Sequence, residues 1–136
     1  MKKTNLKKKF AELKTIYETL HGPGGCMWDK EQTHRSILKD LREEVEEFIE
    51  AVKQEDYEHM QEEIGDVLLH VMFHAQIAEK NNKFTIEDVI DGLIAKIKRR
   101  HPHVFGTQKV SSTKEIIANW HAIKRLEKKR KRESRR

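Results

Sequence analysis

A chain of 136 residues with 38% charged and 36% hydrophobic side chains is sized for one domain, and a charge content above the roughly 25% of ordinary globular proteins suits amphipathic helices. No apolar run approaches the roughly 18 residues that a membrane-spanning helix needs, and the lysine-rich start lacks the apolar stretch of a signal peptide, so a cytoplasmic protein without membrane contact is expected. The net charge of +5 sits at the ends: residues 2–9 hold five lysines and no acid, and residues 124–136 hold nine Lys or Arg against Glu127 and Glu133, whereas residues 10–123 carry 14 basic and 21 acidic side chains, a balance of −7.

Such blocks of like charge are usually solvated, so nucleic acid is expected only as a weak contact of the basic tails. The one cysteine, Cys26, excludes an internal disulfide and offers no zinc framework.

Periodicity predicts five helices. The first runs from about Asn5 to Leu20, with Leu6, Phe10, Leu13, Tyr17 and Leu20 three or four apart, and stops at His21-Gly-Pro-Gly-Gly25. The second is expected to start after Thr33 as N-cap and to run to about Lys53, burying Ile37, Leu41, Val45, Phe48 and Val52. Asp56 is placed to cap a third, to about Lys80, which is apolar around much of its circumference from Val67 to Ala78, as in the centre of a bundle or a subunit interface. Thr85 and Asp88 resemble a capping box for a fourth, with Val89, Leu93, Ile94 and Ile97 inward and a stop at His101-Pro102. Ser112 and Glu115 form a better box for a fifth, carrying Ile116, Trp120 and Ile123. Without an alternating strand pattern the fold class is all-α: a domain over residues 1–123, then a basic tail, 124–136, that extends the last helix or is disordered.

Acids concentrate in Glu43, Glu44, Glu46 and Glu47 on the second helix and Glu62, Glu63 and Asp66 on the third. At about 100° per residue, Glu46 and Glu50 point away from the Ile37/Leu41/Phe48 stripe, Glu44 falls between Ala51 and Ile37 on the apolar face, and Glu47 lies at its edge. On the third helix Glu63, Asp66, His70 and His74 make one narrow polar stripe. An acid on a buried face is costly unless it is paired or binds a cation. If the link at 54–56 turns the chain into an antiparallel hairpin, residues whose numbers sum to about 110 lie side by side, so Glu47 meets Glu63 and Glu44 meets Asp66. Four converging carboxylates repel one another unless they hold a cation, and hard oxygen donors favour Mg²⁺, with Mn²⁺ as the variant. Since Mg²⁺ usually keeps waters and takes substrate phosphates, the expected ligand is a phosphorylated small molecule. His70 and His74, at i and i+4, have the spacing to bind zinc but lack a zincin's internal glutamate, and a role in packing or hydrogen bonding is the expected one. A di-iron bundle would want two Glu-x-x-His pairs, and only Glu31 to His34 fits.

The pattern EExxE (Glu43, Glu44, Glu47) followed by ExxD (Glu63 to Asp66), with GGCMWDKEQTH at 24–34, EEIGDVLLHVMFHAQIAE at 62–79 and RRHPHVFG at 99–106, resembles the MazG family of nucleotide pyrophosphohydrolases, part of the all-α NTP pyrophosphatase superfamily. The resemblance spans roughly residues 10–125 and departs from the family in having Met27 where proline commonly precedes the tryptophan, and in a single such unit where many relatives carry two. It implies Mg²⁺-dependent hydrolysis of nucleoside triphosphates, standard or aberrant, to the monophosphate and pyrophosphate. Glu44, Glu47, Glu63 and Asp66 would hold the metal, with Glu47, and less certainly Glu43, in the catalytic role. Lys96, Arg100, Trp120 and Lys124 match positions that look like nucleotide-binding groups, with Trp120 equally suited to core packing, and Trp28 and Asp29 either close over the site or anchor the glycine loop. The competing readings are a superfamily relative narrowed to dUTP, dCTP or phosphoribosyl-ATP, and a helical module that binds nucleic acid or protein through its basic ends. A lone hairpin has too little around it to enclose a nucleotide, so a homodimer or dimer of dimers with a four-helix core is expected.

Overall fold

The structure, a computed structural model, describes residues 5–135, and every regular element among them is helical. They form α1 (Leu6–His21), α2 (Met27–Glu31), α3 (Leu38–Lys53), α4 (Tyr57–Lys80), α5 (Ile86–Arg100), α6 (Pro102–Phe105) and α7 (Thr113–Ser134). Two compact units divide at Ile86. No helix is long and apolar enough to cross a membrane.

In the first unit the helix starts are set by side-chain caps. Asn5 accepts from the Lys8 amide and Asp56 from the His59 amide, each satisfying a donor that a helix start would leave bare. Contrary to the expectation from the sequence, Thr33 does not cap α3. Its Oγ1 accepts from the Ser36 amide while Ser36 Oγ accepts from the Thr33 amide, a reciprocal box that closes a separate turn, and α3 begins only after Ile37. Two short helices also escaped the sequence: α2, and α6, which continues past Pro102 where a loop was expected. Four or five residues are too few to show a helical period.

The glycine turn after α1 is built by close approach. The Cys26 amide reaches the Leu20 carbonyl at 2.9 Å, Gly24 has φ +74°, and a Cβ on Gly25 would fall 2.3 Å from Leu20 O, so a side chain there cannot be accommodated. This turn lays α2 beside α1.

The core sits on α4. Met72, Phe73, Ala75, Ile77 and Ala78 are buried, together with Tyr17, Ile37 and Ala51. Phe73 is its centre, with Tyr17, His21 and Trp28 rings edge-on at 6.1, 5.0 and 6.2 Å. Burial and then the nearby Asp29 charge push the Tyr17 phenol up to about 12, and the edge-on contact with Phe73 ties Trp28 to the core. Lys14 Nζ joins Glu79 at 3.1 Å and ties α1 to α4.

Helices α3 and α4 share the most extensive helix contact, although only residues 54–56 separate them. The link is a Schellman closure: the Asp56 amide donates to Ala51 O, the Glu55 amide to Val52 O, and Glu55 takes φ 53°. Burial along α3 is narrower than its periodicity implied. Ile37 is buried, but Val45 and Val52 are 38% and 45% exposed, because α3 packs mainly against α4 and its stripe is wider than the groove it meets; Leu6, at the first position of α1, is 71% exposed.

In the second unit α7 runs without a break through residues 124–134. Ser112 Oγ accepts from the Glu115 amide, while Glu115 Oε2 turns back to the amide and hydroxyl of Ser111. Arg99 and Arg100 both grip Glu127: Arg99 Nε at 3.0 Å and Arg100 Nη2 at 2.9 Å. The same Arg100 guanidinium lies 5.4 Å over the Trp120 ring, and His101 meets that ring edge-on at 5.3 Å. The inward positions expected on α5 are not covered: Val89, Leu93, Ile94 and Ile97 are all at least 39% exposed, since a unit of three helices, one of a single turn, has little apolar surface to set against them.

Candidate metal centre

Helices α3 and α4 bring Glu44, Glu63 and Asp66 together, with one carboxylate oxygen of each within 4.8 Å of the others. Glu63 and Asp66 share a face of α4 because they are three apart. Glu63 is 4% exposed, a burial that an acid tolerates only with strong partners. One of its oxygens has such a partner: His59, a turn earlier, places Nε2 3.2 Å from Glu63 Oε1. The other, Oε2, is buried without a partner, and so is Oε2 of Glu44.

Burial, and then the crowding of the Glu63, Asp66 and Glu47 carboxylates, push the Glu44 carboxyl up to about 7. The cause is physical: a carboxyl withdrawn from water favours its neutral form, and a further charge beside Asp66 and Glu63 would be repelled. Glu47 lies at the exposed rim, near enough for its charge to act on Glu44 but outside the tight triad. Glu43 is exposed as well.

Hard oxygen donors that converge, repel one another and leave two buried lone-pair sites bare fit a divalent cation better than any side chain nearby. The donor set therefore passes the chemical test for a metal that the sequence raised. His59 was not anticipated, although its place four residues before Glu63 was a readable signal.

The remaining site candidates lie in the second unit. Lys96 is exposed, Lys124 and Trp120 are half-buried, and Arg100 is held by Glu127 and stacked on Trp120. Trp120 also lines a shallow apolar hollow with Ile116, Ile117 and His121.

Residues 32–105, which include all three triad acids, match the family described as the MazG nucleotide pyrophosphohydrolase domain. The chain belongs to this MazG family. It is 51% identical over 126 residues to the nucleoside triphosphate pyrophosphohydrolase/pyrophosphatase MazG of Thermotoga maritima, covering 93% of this chain and 48% of that one. With the nucleoside triphosphate pyrophosphohydrolase of Escherichia coli K12 it shares 38% over 120 residues, covering 88% and 46%. The chain thus spans about half the length, or less, of the curated relatives it matches. Its fold is similar to the crystal structure of a mazG-related protein from Thermotoga maritima, with a TM-score of 0.69 at 30% identity over 85% of this chain and 98% of that one.

Proposed function

We propose that this MazG domain hydrolyses nucleoside triphosphates to the monophosphate and pyrophosphate, with Mg²⁺, or Mn²⁺ in its place, held by Glu44, Glu63 and Asp66 and by Glu47 at the rim. The observation that carries this reading is the convergence of three carboxylates with two buried, partnerless oxygens on the α3–α4 face, in a chain whose relatives are named for that activity. When bound, the metal supplies charge neutralisation for the triphosphate and a lowered pKa for an attacking water.

The chain's own groups do the rest. His59 holds Glu63 Oε1 and leaves Oε2 unbonded, and Glu47, exposed at the rim, would take the proton of the water as its oxygen bonds to phosphorus and the bond to the pyrophosphate leaving group breaks. Glu43 is the second candidate for that proton. Lys96 and Lys124 supply cations for the phosphate chain, and Arg100 and Trp120 form a cation-on-ring platform suited to a base. The catalytic domain occupies residues 1–123, and the basic stretch 124–136 lies outside it.

The α3–α4 pair is an antiparallel hairpin in this reading, completed by a second copy into a four-helix core. Ile49, Val52, Ile64, Leu68 and Val71, each at least 41% exposed on these two helices, are the surface that a homodimer or a dimer of dimers would cover.

The test is release of pyrophosphate from a panel of standard and modified triphosphates, including dUTP and dCTP, with Mg²⁺ and with chelator, comparing the native chain with Glu63→Gln. Pyrophosphate as first product, lost in the variant and with chelator, supports the reading. Orthophosphate as first product, or unchanged turnover in the variant, defeats it.

A further inference from the structure

Three buried polar atoms on α4 have no partner, and only one of them, Glu63 Oε2, belongs to the acid triad. The other two are His70 Nδ1 and His74 Nε2. Their residues lie four apart, one above the other on the same helix face, and His70 is 94% removed from solvent. Orphaned buried nitrogens are rare enough that each needs a cause.

The tautomer of His74 can be worked out. His34 Nδ1 and His74 Nδ1 lie 2.8 Å apart with the two rings only 4° from parallel. One nitrogen must donate and the other accept, because two bare lone pairs at that distance repel. If His74 accepted, its proton would sit on Nε2, buried and unbonded, which is the costly arrangement. If His74 donates to His34, the proton of His34 sits on Nε2 of an exposed side chain, where water serves it, and His74 Nε2 keeps a bare lone pair. The second arrangement leaves no buried donor unpaired. It also reproduces what orients a metal-binding imidazole: the far N–H is held by an acceptor so that the near nitrogen points its lone pair at the ion.

The geometry points to a second cation site on α4, made by His70 Nδ1 and His74 Nε2 with His34 as the positioning residue, and selective for a borderline divalent transition ion such as Zn²⁺, Cu²⁺ or Co²⁺. Two neutral imidazole nitrogens suit such ions and bind Mg²⁺ poorly. The site differs from the acid triad in donor chemistry as well as in residues, and it stands whether or not the proposed hydrolysis does. Two protein ligands leave open positions for water.

Co²⁺ is the probe, because its visible absorption reports nitrogen ligands while Mg²⁺ is silent. The full chain, stripped with chelator and then saturated with Mg²⁺, is titrated with Co²⁺. One equivalent should give a nitrogen-ligand band that survives in Glu63→Gln and disappears in His74→Phe and in His70→Gln. His34→Gln, whose carbonyl can still accept, should keep binding within severalfold of native, and His34→Leu should lose it. Should the His70 or His74 variant not fold, imidazole NMR of the native chain decides: His74 must carry its proton on Nδ1, and substoichiometric Co²⁺ must broaden His70 and His74 first. Absence of the band under saturating Mg²⁺, its loss in Glu63→Gln, or a proton on His74 Nε2 would overturn the assignment.

Discussion

His59 holds Glu63 by one oxygen and leaves the other without a partner: Nε2 lies 3.2 Å from Oε1, while Oε2 is buried and unbonded, as the proposed metal centre would require. A ligand so fixed meets a cation without first being ordered, and loss of such an outer partner typically weakens metal binding about 10- to 100-fold. His59→Ala should therefore raise the Mg²⁺ concentration needed for half-maximal pyrophosphate release by about tenfold, with the circular dichroism spectrum unchanged because His59 is 48% exposed. Unchanged Mg²⁺ dependence would mean that Glu63 needs no support.

The second expectation concerns pH. With its carboxyl raised to about 7 from an ordinary 4.5, Glu44 in the metal-free chain holds a proton that a cation must displace. Mg²⁺ affinity should fall by up to about tenfold per unit as pH drops below about 7, one proton being released for each ion bound. The sign for stability follows from the same shift. Between 4.5 and 7 the folded chain binds more protons than the unfolded one, so the chelated protein loses stability as pH rises through that window. Melting of the native chain and of Glu44→Gln in EDTA at pH 5 and pH 8 checks it: the stability of the native chain relative to the variant should be smaller at pH 8 than at pH 5, because the variant carries no titrating carboxyl there.

A third expectation falls on the Arg99–Arg100–Glu127 clamp. Hydrogen bonds from Arg100, and then from Arg99, hold the Glu127 carboxyl down at about 2, outweighing the burial that opposes them. Its contribution is present above the ordinary 4.5 and is lost as pH falls toward 2. Glu127→Gln should cost about 1.5–3 kcal/mol, the range for hydrogen bonds to charged groups, seen as faster amide exchange in α5 and α7 at pH 7. The difference from native should shrink at pH 3, and a difference independent of pH would rule out an ionic origin.

Glu55 offers a gain rather than a loss. It occupies the left-handed region, φ 53°, at the position where glycine is most at ease, and no hydrogen bond of its side chain is found in the structure. Glu55→Gly should stabilise the chain by about 1 kcal/mol and raise its melting temperature without changing metal affinity. A lower melting temperature would mean that the flexibility gained in the unfolded chain outweighs the relief.

Fold class and the five long helices were legible because 15 to 24 residues give several turns of periodicity. The caps at Asp56 and Ser112 were legible because each is a local side-chain preference. What failed was non-local. Val45, Val52 and Leu93 carry the pattern of a buried face, but a pattern does not say whether a neighbour is there to cover it. Within the candidate site, arithmetic on the link length anticipated that Glu44 would meet Asp66, and the structure brings them together with Glu63. It could not separate Glu47 at the rim from the triad, because that depends on rotations finer than one helical position. The partnership of His34 with His74 joins residues 40 apart across a turn whose start the sequence misplaced.

The link at residues 54–56 closes on itself through two backbone hydrogen bonds, and it sets the phase of α4 against α3. A single inserted residue would swing every α4 side chain by about 100° and turn Glu63 and Asp66 away from Glu44, although no carboxylate had been altered. The length of this connection is thus as stringent a requirement as the identity of the acids it aligns, and a one-residue indel there should disarm the centre as thoroughly as deleting a ligand.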